Sequence, residues 1–256
     1  MAAAYNRRMP RPRPSAPPGD SDALRVYSGR HYGIEKAFEQ FTEDTGIEVT
    51  FLTGNDGELR ERIAAEGEET KADVYITVDA GNLAAAAAQG LFQPIESAVL
   101  DEAIPAELSD PDGNWFGLTV RARTIVYNTD RLTADEVPAS YEALAEPEWK
   151  GRVCLRNSSN VYQQSLVASL IINQGADAAK AIVDSWVAND PLYINSDTDI
   201  YKAVAEGECD IALANSYYLG RLQTEDPEFP VAIAWAEQDG RGTHVNVSTA
   251  AITANA

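Results

Sequence analysis

Cys209-Asp210-Ile211-Ala212-Leu213-Ala214-Asn215-Ser216-Tyr217-Tyr218-Leu219-Gly220-Arg221 runs from an apolar segment, through Asn-Ser, into two adjacent tyrosines. Cys209–Ala214 has the length and character of one buried parallel strand. Leu219 and Leu222, with a polar face between, open a helix. The tyrosines therefore stand where a strand hands over to a helix. Inside a regular helix neighbouring side chains point about 100° apart, whereas at a strand-to-helix turn both phenols can be aimed at one point. In open α/β sheets the carboxyl ends of the strands are where ligands bind. The ordinary alternative is a pair of half-buried aromatics packing a loop.

Two other stretches share this order. Leu24-Arg25-Val26-Tyr27-Ser28 is followed by Gly29-Arg30-His31-Tyr32-Gly33 and a helical pattern of Ile34, Ala37, Phe38 and Phe41. Gly151–Arg156 is followed by Asn157-Ser158-Ser159-Asn160-Val161-Tyr162 and a helix carrying Leu166, Val167, Leu170 and Ile171. Each reads strand, polar loop, tyrosine, helix. Together the three junctions offer four phenols and one imidazole, and none carries a hydride or phosphate fingerprint.

Strands and helices alternate along the rest of the chain. Ile47–Thr53 and Asp73–Val78 read as strands; a helix with Leu59, Ile63 and Ala64 separates them, and an alanine-rich helix from Leu83 to Ala88 ends before Gly90. This order predicts a parallel sheet with helices on both faces. Trp115–Asn128 is a long extended segment, able to leave one lobe and enter another. A second set follows: a helix near Tyr141–Leu144, strand Arg152–Leu155, helices from Tyr162, Ala178 and Asp199, and strand Asp210–Ala214. Phe229–Trp235 and His244–Ile252 are extended again and could cross back. Two lobes joined by crossing segments describe a hinged binding protein. The expected division is 23–120 with 231–256 as the first lobe and 121–230 as the second.

The 256 residues carry 40 acidic and 20 basic side chains, a formal charge of −20. Such a surface repels nucleic-acid phosphates and anionic lipid, so neither is an expected partner. The two cysteines, Cys154 and Cys209, form no CxxC or Cys/His cluster, which argues against zinc and iron–sulfur sites. Both lie in strands leading to tyrosine loops, so a disulfide and two buried thiols are both open. No Ser-His-Asp order, HExxH, P-loop or Rossmann glycine pattern suggests catalysis.

Ser28-Gly29-Arg30-His31-Tyr32, Arg156–Leu166 and Asn215–Arg221 resemble the ferric-iron-binding proteins of bacterial ABC importers, most nearly the cyanobacterial FutA-like type. Trp115–Arg123 and Gly240–Ser248 share the likeness, which runs from about Leu24 onward. The resemblance implies an α/β, two-lobe, hinged type II periplasmic-binding-protein fold, each lobe a mostly parallel sheet flanked by helices. It implies Fe3+ held by Tyr32 from the first lobe and by Tyr162, Tyr217 and Tyr218 from the second, so that the ligand closes the cleft. His31 or solvent would be a fifth ligand. Arg221, with Arg121 or Arg123 from the hinge segment, would screen the net negative charge of four phenolates on Fe3+. His244, in a strand pattern, reads as structural. A periplasmic monomer delivering iron to an inner-membrane ABC permease follows from the same likeness; an anion or polyamine receptor of the same fold is the alternative.

Residues 1–22, with Arg-Pro-Arg-Pro and Ala-Pro-Pro-Gly, read as a disordered segment. Arg7-Arg8 invites a twin-arginine reading, but no apolar stretch follows it. Proteins of the resembled family continue past the last strand with several helices covering the first lobe. The sequence therefore looks like a fragment with a helix-binding surface left bare.

Overall fold

A computed structural model describes residues 23–30 and 35–256. The expected N-terminal segment 1–22 and the candidate ligands His31 and Tyr32 lie outside the described residues. Strand β1 (Leu24–Ser28), helix α1 (Glu35–Thr45), β2 (Val49–Thr53), helix α2 (Asp56–Glu66), β3 (Val74–Thr77) and helix α3 (Ala80–Ala88) alternate as the hydrophobic periodicity predicts. β1 lies between β2 and β3 and is parallel to both. The Asn55 side chain accepts the Gly57 N–H and starts α2; Asp79 accepts the Asn82 N–H and starts α3. Leu59 and Ile63 of α2 and Leu83 and Ala86 of α3 pack on Tyr27 and Tyr75. A short helix α4 (Ala98–Ala103) follows, capped by Ser97.

Strand β4 (Phe116–Asn128) then runs the length of two sheet segments. Beyond it come β5 (Val153–Leu155), α5 (Val161–Gln174), α6 (Ala176–Ala188), β6 (Leu192–Tyr193), α7 (Asp197–Glu206), β7 (Ile211–Asn215), α8 (Tyr217–Glu225), β8 (Val231–Ala234) and β9 (Val245–Ile252). Tyr141–Leu144, read as a helix, forms a short 3-10 turn over Glu142–Ala145. The strand order is β2-β1-β3-β9-β4-β7-β5-β6, with β8 also on β4. β4 pairs with β9 as far as Ala122↔Val245 and with β7 from Arg123↔Asn215 onward. The strand thus changes partner between two consecutive residues, which is where the two halves of the sheet meet. β8 pairs with Ile125–Asn128, and among 231–256 it is β9 that returns to β3, antiparallel.

Alternation along the strands of the second half fills two apolar layers. Ile125, Val153, Leu155, Ile211 and Leu213 face α5 and α6, meeting Leu166, Leu170 and Trp186. Val126, Cys154, Ala212 and Ala214 face α7 and α8, meeting Ile200, Tyr201, Val204, Leu219 and Leu222. Leu166 and Leu170 are wholly buried, each such burial contributing about 1.5–3 kcal/mol. Cys154 in β5 and Cys209, just before β7, form a disulfide within the second layer, their Cα atoms 5.8 Å apart. Of the two redox states open from sequence, the structure has the bridge.

Candidate metal centre

Tyr217 and Tyr218 are the first two residues of α8, directly after β7. Ser216 already has helical dihedrals and gives no side-chain cap, so the chain passes from strand to helix with a single residue between. Side chains in a first helical turn lean back toward its N-terminus, here toward the strand end. The two rings consequently stack, with centroids 4.2 Å apart and planes 29° from parallel. Tyr218 is buried at 9% exposure against the α7–α8 layer, while Tyr217 is 37% exposed.

Tyr162 is the second residue of α5, whose start is fixed by Asn160 accepting the Gln163 N–H at 3.1 Å. Burial pushes its phenol up to about 12; negative charge on Tyr217 pushes the same way, and the Arg121 guanidinium opposes both. The Tyr162 and Tyr217 hydroxyls therefore share one electrostatic environment at the carboxyl ends of β5 and β7. Three of the four sequence-predicted phenols are brought together; Tyr32 and His31 lie outside the described residues.

Arg121 sits over the Tyr162 ring at 5.3 Å. It is 8% exposed, donates from Nη1 to Ser248 Oγ at 2.8 Å, and has no partner for Nε or Nη2. Arg30 donates to the same Ser248 hydroxyl at 2.8 Å and to Thr119 Oγ1 at 2.7 Å. A buried guanidinium with two unpaired donors is costly unless a negative oxygen arrives to meet it. Arg123 is engaged differently: its guanidinium is ion-paired with Asp197 at 2.7 Å, beneath the tyrosines. Arg221 is exposed on α8, one turn beyond Tyr218.

His244 precedes β9 and is paired with α5. Its Nε2 lies 3.1 Å from Ser165 Oγ, and burial drives its pKa down to about 4, so the ring is neutral. Among the described residues no three or more His, Cys, Asp or Glu side chains form a group able to hold a metal. A cleft of about 600 Å³ separates the start of α3 from α5, lined by Asp79, Gln164, Ser165, His244 and Asn246 among others.

Two carboxylates gain their meaning only in the fold: Asp56 is not marked by the sequence, and Asp197, like Asp79, is a plausible carboxylate there without an evident partner. Asp56, the first residue of α2, accepts the Val78 N–H at 2.9 Å and has no partner for its other oxygen. Burial raises its pKa to about 6; the Val78 bond opposes, Asp79 adds to the rise and Arg121 opposes. An alanine Cβ at Gly29 would fall 1.5 Å from Asp56 Oδ1, so glycine at 29 makes room for this carboxylate. Asp197, the first residue of α7, stands in the sequence as the residue after a Ser196 cap; its side-chain partners Arg156 and Arg123 are 41 and 74 positions away along the chain.

Parallel segments bridged by antiparallel crossing strands, with phenols and a buried guanidinium gathered at the strand ends, define a solute-binding protein of the type II periplasmic-binding fold. The chain belongs to the bacterial extracellular solute-binding protein family, whose model matches residues 69–255. It is 44% identical over 249 residues to iron uptake protein A1 of Synechocystis sp., covering 92% of this chain and 68% of that one. It superposes with a TM-score of 0.83 on a Trichodesmium structure (IdiA, FutA) in complex with iron and citrate, at 43% identity, covering 91% and 76% of the two chains. A ferric binding protein from Campylobacter jejuni gives a TM-score of 0.84 at 37% identity, covering 91% and 76%.

Proposed function

We propose that this chain is an extracytoplasmic solute-binding protein that captures ferric iron through tyrosinate oxygens and delivers it to an ABC-type importer. The observation that carries the reading is the cluster of Tyr162, Tyr217 and Tyr218 under the half-satisfied Arg121 guanidinium. In the proposed set Tyr32 supplies a fourth phenolate and His31 or solvent a fifth donor. Residues 23–120 with β9 form one lobe; 121–230, with β8 added, form the other. The iron is cargo, and binding it is the whole activity, without a chemical step.

The chemistry of the donors favours this cargo. Fe3+ is a hard, highly charged ion and phenolate is a hard anionic oxygen. Holding an ordinary tyrosine ionised at neutral pH costs about 4 kcal/mol. For Tyr162, pushed up to about 12, the cost is about 7 kcal/mol. A trivalent ion offsets such costs far better than a divalent one, so the donor set itself selects. Arg121 assists from the side of Tyr162, and Arg221 screens from one turn beyond Tyr218. Relatives named as periplasmic binding proteins support a periplasmic location and an inner-membrane permease as partner; a monomer is the working form proposed.

Addition of ferric citrate to the purified protein tests the reading. Ferric phenolates absorb in the visible through charge transfer, so a coloured one-to-one complex is the expected result. An anion or polyamine receptor of this fold would stay colourless and leave the phenols without a role.

A further inference from the structure

Resting on the ferric reading, the geometry points to Asp197 as the positioning residue that holds both tyrosine junctions of the second half against the crossing strand β4. Asp197 is 1% exposed. Its Oδ2 accepts Arg123 Nη1 at 2.7 Å and the Asn215 backbone N–H at 3.0 Å; its Oδ1 accepts Arg156 Nη1 at 3.1 Å. Each partner belongs to a different segment. Arg156 follows β5 and opens the loop to Tyr162. Asn215 ends β7, two residues before Tyr217. Arg123 is the first β4 residue paired with β7, immediately after the last pair with β9.

The arrangement reaches further through Arg123. Its guanidinium also touches Gln163 Oε1 and Asn215 Oδ1, each at 3.4 Å, beside Tyr162 and near Tyr217. Its backbone N–H donates to His244 O at 2.9 Å, and Ser216 N–H donates to Ala122 O at 3.0 Å. One carboxylate thus joins the residues flanking two ligand positions to the place where β4 changes partner. The spacing of the phenol oxygens is set by this carboxylate before any metal arrives. Two guanidiniums on one carboxylate leave a net positive charge, and Arg123 Nε, Arg156 Nε and Asn215 Nδ2 stay unpaired donors.

Asp197→Asn and Arg156→Gln test the assignment, each loaded with ferric citrate and compared with the parent. The readouts are the position of the visible band, the rate of iron release to excess chelator, and the melting temperature without iron. Both variants should shift the band and release iron faster, by about 10- to 100-fold, as disruption of groups behind a metal ligand generally does. A lowered melting temperature with unchanged band and release rate would make Asp197 a packing residue and overturn its positioning role. Where Asp197→Asn fails to fold, Arg156→Gln decides: it keeps the Arg123–Asp197 pair, and unchanged release from it overturns the proposal. A parent that shows no visible band overturns the ferric reading and this role together.

Discussion

The two halves of the sheet differ in how far their buried charges are ion-paired. Beneath Tyr162, Tyr217 and Tyr218 the Asp197 carboxylate is matched by Arg123 and Arg156, and at the other end of β7 Asp210 is matched by Arg131 and Arg152, all within 3.1 Å. Two apolar layers and the Cys154–Cys209 bridge back them. In the half built on β1, β2 and β3 one apolar layer packs on α2 and α3, and α1 has no buried residue among those described. There Asp56 is buried with one oxygen unpaired, and Arg121, at the edge of that half, with two donors unpaired. The second half is a platform tied by ion pairs and the bridge, although Arg123 Nε, Arg156 Nε and Asn215 Nδ2 stay unpaired in it. Asp56 and Arg121 instead are buried without an ion pair among the described residues.

The comparison breaks most readily through pH. Capture by phenols must expel their protons, and Tyr162, raised to about 12, is protonated when free. Acidification should weaken iron binding by up to about four decades per pH unit if four phenols lose protons. Competition against a chelator, corrected for the chelator's own titration, measures the slope. A flat profile would shift the donors to carboxylates and undo the platform assignment.

Next in size is the change of Tyr217 and Tyr218 together to Phe. The stacked rings survive while two anionic donors go, so the fold should hold, the visible band should shift or vanish, and affinity should fall by orders of magnitude. Unchanged affinity in equilibrium dialysis would reduce the pair to loop aromatics.

Changing Cys154 and Cys209 to Ala sharpens the contrast in stability. The bridge closes a sequence separation of 55 residues, for which the chain-entropy relation gives about 4 kcal/mol. Denaturant unfolding of the iron-free protein should show a loss of that order. Parent and variant unfolding at the same denaturant concentration would place the platform's rigidity in its apolar layers alone.

The smallest effects come from two buried groups with opposed signs. Asp56, raised to about 6, stabilises the fold below its unfolded pKa near 4 and loses that contribution as pH rises through about 6. His244, lowered to about 4, contributes fully above its unfolded value of 6.5 and loses this as pH falls toward 4. Each amounts to about 3 kcal/mol, and in the parent they nearly cancel. Asp56→Asn should therefore be the more stable protein at pH 7 and lose stability on acidification. His244→Gln should instead lose stability as pH rises from about 4 to 6. Melting curves across that range check both; identical profiles for parent and Asp56→Asn would remove Asp56 from the account.

Much of this architecture is legible in the order of residues. β1 spans Leu24–Ser28 as its pattern predicts, and the apolar run before Tyr217 forms β7, because local periodicity and burial agree there. The crossing of Trp115–Asn128 also follows from its length. Phe229–Trp235 is less readable: a four-residue apolar strand looks the same whether it pairs with its own half or returns to the other. The phenols can be found since each stands at a strand–loop–helix boundary. Asp56 cannot, and Asp197 is legible only as a plausible carboxylate without an evident partner, because an acidic residue opening a helix looks like ordinary capping chemistry. What distinguishes them is burial and partners from distant segments, which only the folded chain supplies. For the same reason Arg123, expected from the family likeness to screen the metal, instead serves Asp197.

The pairing of β3 with β9 bears on how the molecule is made. Thr77 and Thr249 meet through their hydroxyls at 2.8 Å although 172 positions separate them. During synthesis β1, β2 and β3 emerge with one flank of their sheet open, and the strand that seals it is translated far later. The half containing β5, β6 and β7 draws on nearer partners and can condense first. Contacts between remote positions form slowly, and an open flank invites pairing with other chains in the interval. The first half is thus the part of the sheet that is closed last.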